Sequence, residues 1–111
     1  MEHGVTFRSF EVQRRFISLG QFTVAVETSL EHDSVLEALG AMGNSDLDHG
    51  LIRIHSSLEL LRRREVIMHE LLHHVIHLTH LAARWDDDET EEVIRALSPW
   101  LTQAVHISNI D

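Results

Sequence analysis

The run Met68-His69-Glu70-Leu71-Leu72-His73-His74 contains His-Glu-x-x-His. On a helix His69 and His73 lie four residues apart, so their imidazoles project from one face about one turn apart. That spacing lets two rings hold one Zn²⁺, while Glu70 sits beside them to accept a proton from water. A shuffled chain of this composition would show the five letters roughly one time in ten, so the context decides. Here the motif lies within Val66, Ile67, Met68, Leu71, Leu72, Val75, Ile76 and Leu78, and no Gly or Pro intervenes before Pro99. That is the setting of a metal site on a helix.

Two imidazoles do not complete a catalytic zinc site, which usually has three protein ligands and an open position. The extension His-Glu-x-x-His-x-x-Gly-x-x-His fails, because its Gly falls on Ile76 and its last His on Thr79. His80 misses by one residue. The other source is an acid from a following helix, and Asp86-Asp87-Asp88-Glu89-Thr90-Glu91-Glu92 offers several. Most acids opening a helix are solvated groups that favour its positive end. On a helical wheel Glu92 points away from the apolar face, whereas Glu89 and Glu91 flank it and Glu91 shares a stripe with Ile94 and Ser98. His69, His73, His77 and His80 span about 80° of arc, so His77 is a further candidate ligand. A histidine ladder of this kind is more commonly solvated than bound to metal.

These groups need elements to position them. From Ser57 the apolar period is helical, and one long helix is expected over roughly 58–82. Trp85-Asp86-Asp87-Asp88 interrupts it, and a second helix should start near Asp88 with Val93, Ile94, Leu97, Leu101 and Val105 on its apolar face. Ser98-Pro99 either kinks that helix or starts a new turn. Trp85 and Trp100 read as core or helix-contact residues. Upstream, Phe16–Leu19 and Phe22–Thr28 have strand character around a Gly20-Gln21 turn. His32 to Gly43 is ambiguous, with a short helix capped by Asp33 or Ser34 weakened by Gly40 and Gly43. Asn44-Ser45-Asp46 and Asp48-His49-Gly50 have turn chemistry, and Leu51–His55 alternates like a hairpin strand. Its edge is a candidate for aligning an extended peptide.

Composition narrows the function. The 111 residues fit one domain, 1–111, and nine basic against eighteen acidic residues give a net charge of −9. A nucleic-acid or anionic-membrane binder would normally carry the opposite sign, so neither partner is expected. The basic step Arg62-Arg63-Arg64 reads as charge balance in an acidic chain. No apolar run approaches the ~20 residues of a membrane span. With no signal-like start and no cysteine, a cytoplasmic location is the expectation, and thiolate zinc sites and Cys nucleophiles are excluded.

Val66–His73, followed by Glu91-Glu92-Val93-Ile94-Arg95-Ala96-Leu97-Ser98-Pro99, resembles small zincin-type proteins of phages and mobile elements. They are minimal relatives of the gluzincin metallopeptidases. The resemblance spans about residues 36–109 and leaves residues 1–15 unplaced. It implies His69 and His73 as zinc ligands, Glu70 as the catalytic base and Glu91 as third ligand. The expected fold is α+β, a small, mostly antiparallel sheet or hairpin packed on two long helices. The expected function is a zinc-dependent metallopeptidase acting on a peptide or protein substrate. Its rivals are a non-catalytic zinc-binding structural or interaction protein and a metal-free acidic helical partner of a larger assembly. In about 110 residues a metal cross-link would add useful stability.

Overall fold

The computed structural model describes residues 11–105 and 107. Within them the chain is α+β, with a four-stranded sheet and three helices. Strands β1 (Gln13–Leu19) and β2 (Phe22–Thr28) form the expected hairpin, with Gly20 at φ 65° in its turn. Helix α1 (Leu30–Leu39) follows at once. Its cap is Ser29, whose hydroxyl accepts from the His32 amide at 2.9 Å, not Asp33 or Ser34 as expected. Gly40, read as a weakness, ends the helix in the left-handed region at φ 66°.

Strands β3 (Gly43–Asp46) and β4 (Leu51–Ile54) complete the sheet in the order β1-β2-β4-β3. The sheet is mostly antiparallel, as expected, with one parallel pair: β4 runs alongside β2, Val26 opposite Ile52, after the crossover through α1. Asn44-Ser45-Asp46, expected as a turn, is instead an edge strand antiparallel to β4, with Ser45 opposite Ile52. Leu51–His55 therefore offers no free edge. β4 is interior, and among the described residues the edge strand on that side of the sheet is β3.

Helix α2 (Leu60–Leu78) lies across one face of the sheet. Ile17, Val24, Val26, Ile52 and Ile54 of the strands pack against its Val66, Ile67 and Leu71. Each such side chain contributes about 1.5–3 kcal/mol on burial, so this layer is what fixes the helix axis. Glu59 caps the start, accepting from the Arg62 amide at 3.2 Å. The helix stops four residues short of the expected end because His80 sits at φ 64°. The chain then turns through Leu81–Ala83 into α3 (Asp87–Ala104), which packs back along α2. Asp86 caps α3 through the Glu89 amide at 2.8 Å, and Asp87, Asp88 and Glu89 fill its first turn. The helix runs on through Pro99. Trp100, expected in the core or at a helix contact, is 76% exposed. No helix among the described residues is long and apolar enough to cross a membrane.

Candidate metal centre

Rigid packing of α2 on the sheet turns Val66, Ile67 and Leu71 inward. The same helical period carries His69 and His73 round to the side facing α3, where both are half-buried. On α3, Ile94 and Ser98 are buried, and Glu91, one turn before Ile94 on that stripe, faces the histidines. The three meet. His69 Nε2 lies 2.7 Å from Glu91 Oε1, and His73 Nε2 lies 3.1 Å from Glu91 Oε2. The two imidazole centroids are 5.3 Å apart with planes inclined at 56°. One ligand atom from each of the three residues falls within 4.8 Å of the others, so the group could hold a metal ion.

The donor set fits a divalent transition ion. Two neutral imidazole nitrogens and one carboxylate are ordinary zinc ligands, and they converge from two separate helices. The side chains keep about 25%, 25% and 33% of their surface, enough to leave one side of the group open to solvent. A competing cation stands further off, with Arg95 Nε at 3.8 Å from Glu91 Oε1 on a side chain that is 75% exposed.

Glu70 follows His69 and projects toward β3. Ser45 Oγ donates to Glu70 Oε1 at 2.9 Å and also lies 3.3 Å from the Glu70 carbonyl. Ser45 was not singled out from the sequence, because Asn44-Ser45-Asp46 has the composition of a turn. The approach of β3 depends on Gly43. A Cβ there would lie 2.6 Å from Val66 Cγ1 and 3.6 Å from Glu70 Cγ, so any larger residue would lever the strand off α2. Beside this contact a cleft of about 310 Å³ opens between β3, α2 and α3, with Gly43, His69, Glu70 and Ser98 on its walls.

The remaining candidates fall elsewhere. Glu89, Glu92, His77 and His80 are exposed, and among the described residues none of them joins His69, His73 and Glu91. His74 points the other way, into the sheet side, with only 2% of its surface exposed. Burial pushes its imidazole below the ordinary histidine value, as do His77 and His73, against a backbone hydrogen bond at Leu51 and the charge of Asp46. Its burial thus favours the uncharged imidazole and places His74 in the interior. Comparison with protein-family models, with curated proteins and with solved structures finds no match to this chain.

Proposed function

We propose that this chain is a zinc-dependent metallopeptidase of minimal gluzincin type. The observation that carries the reading is the meeting of His69, His73 and Glu91 across two helices, with Glu70 beside them and bonded to the edge strand. Zinc, when bound, would acidify water and polarise a carbonyl. The chain's own residues would do the rest. His69, His73 and Glu91 bind the ion. Glu70 takes a proton from the attacking water and returns it to the leaving amine. Ser45, donating to one oxygen of Glu70, fixes the rotamer and leaves the second oxygen to accept that proton. The free edge of β3 runs past Glu70, where an extended peptide would find unpaired backbone groups to pair with.

The test separates ligand from base. Protein refolded with zinc should hold about one ion per chain by elemental analysis, as one three-ligand site requires. Glu70→Gln should retain that zinc and the fold, while cleavage of a mixed peptide library, read by mass spectrometry, disappears. If the zinc-loaded parent protein cleaves nothing, the peptidase reading falls and the non-catalytic zinc-binding reading replaces it. If Glu70→Gln loses zinc as fully as His69→Ala, Glu70 is a ligand and the proposed division of roles is wrong.

A further inference from the structure

At the N-terminal end of α2, well away from the His–Glu group, a second cleft opens between the helix and the ends of β1, β2 and β4. It has an outer part of about 290 Å³ and an inner part of about 60 Å³, and Gln13, Thr28 and Arg63 line both. The inner floor is apolar, formed by Val26, Ile54 and Ile67. Arg63 stands out. Its Nε is buried and, among the described residues, has no hydrogen-bond partner, whereas its neighbour Arg62 pairs with Glu65 at 3.2 Å. Acids outnumber bases two to one in this chain, so the lack of a partner is not a lack of acids. The buried acids nearby are already engaged: Glu27 with Arg14 and His32, Asp33 with Ser56. Glu11, the acid on the wall of the outer part, is exposed. A guanidinium with a buried, unbonded N–H is costly, and an anion bound at the part of Arg63 that lines the cleft would offset its charge.

We propose that this cleft binds a carboxylate carried on a short apolar body, with Arg63 as its anchor. A guanidinium presents a planar fork that matches the two oxygens of a carboxylate. The Thr28 hydroxyl and the Gln13 amide, on the same walls, supply further donors. The floor of Val26, Ile54 and Ile67 favours aliphatic carbon over a fully hydrated inorganic ion. Two sources share this chemistry: a branched-chain organic acid, and a peptide C-terminus ending in a small aliphatic residue. Arg63 precedes His69 by six residues, about 9 Å along the helix axis, so the site is separate from the metal group and independent of the peptidase reading.

The Arg63 Nε–H is its own reporter. In the full-length, ¹⁵N-labelled protein, titration with N-acetylvaline or isovalerate should shift that side-chain resonance saturably at millimolar concentrations. Tighter binding of N-acetylvaline identifies a peptide terminus, and equal or tighter binding of isovalerate identifies a free acid. N-acetylvalinamide, which lacks the charge, should leave the resonance in place. Arg63→Met keeps the aliphatic stem and should weaken binding by at least about tenfold, and Arg63→Lys, which keeps the charge without the fork, by several-fold. No saturable shift in the parent protein with either carboxylate overturns the proposal without recourse to any variant. So does inorganic phosphate binding as tightly as the carboxylates, or full affinity in a folded Arg63→Met protein.

Discussion

Around α1, each histidine meets a carboxylate of its own. His32 Nε2 lies 3.0 Å from Glu27, which also accepts from Arg14, and His55 Nε2 lies 2.9 Å from Glu37 while its Nδ1 accepts from the Ser57 amide at 3.1 Å. Asp33 takes both the amide, at 2.9 Å, and the hydroxyl of Ser56. Between α2 and α3, by contrast, two imidazoles share a single carboxylate. Both regions are built from His and Asp/Glu, so composition alone does not tell them apart. What differs is the balance of donors and acceptors. In the first region these side chains have found their partners within the protein, which makes it a structural network. In the second, three potential ligand atoms converge with few other partners and an open side, and a cation is what such a set can share.

The sharpest way to break this contrast is to remove ligands one at a time. His69→Ala, His73→Ala and Glu91→Gln should each weaken zinc by orders of magnitude in a chelator-competition titration. Glu89→Gln, Glu92→Gln and His77→Ala alter exposed side chains and should stay within about threefold of the parent protein. A large loss at His77 would move the site onto α2 alone and remove the role of α3.

The same residues show what was legible before the structure. The α2 and α3 helices and the stripe shared by Glu91, Ile94 and Ser98 follow from a local period, which a single chain displays. The parallel pairing of β2 with β4 does not, because nothing local in Phe22–Thr28 states which strand will lie beside it. β3 was hidden for a related reason. Gly43-Asn44-Ser45-Asp46 has poor strand propensity, and pairing with β4 together with contact against Val66 and Glu70 overrides it. Ser45 meets Glu70 across 25 positions of sequence, so its place at the site is purely tertiary. His80 had the wrong spacing for a ligand. The chain reversal it introduces at φ 64° still leaves it outside the group.

A second test takes the comparison from the other side. Asp33→Ala should leave zinc affinity unchanged yet cost roughly 1–2 kcal/mol in urea unfolding, because the buried position loses the carboxylate that accepts from the amide and hydroxyl of Ser56, whose exposed donors then turn to water. Zinc loss in this variant would mean that the two regions are coupled through the sheet. Gly43→Ala probes the ground between them. Its Cβ would meet Val66 Cγ1 and stand 3.2 Å from the Arg53 carbonyl, so β3 must shift outward at a cost of roughly 1–2 kcal/mol. That shift should lengthen the Ser45–Glu70 hydrogen bond and, on the proposed peptidase reading, lower turnover while zinc stays bound. A variant of parental stability would show that β3 is not wedged against α2.

The smallest effect is the pH response of Glu27. Burial pushes this carboxyl up, but hydrogen bonds from His32 and Arg14 and the charges behind them outweigh it and hold the group below its ordinary value of 4.5. A depressed folded value means that the unfolded chain binds the proton more tightly. The stabilisation is therefore fully present above 4.5 and is lost as pH falls through the lower folded value. Arg14 is 54% exposed, so solvent screens its part, and His32 supplies the better-shielded contact. Glu27→Gln cannot titrate. The stability gap between the parent protein and Glu27→Gln, measured in metal-free protein so that ligand protonation does not enter, should narrow as pH falls below about 4.5. A gap that stays flat in acid would mean that Glu27 is held by packing and not by charge, and the network around α1 would then owe its order to shape alone.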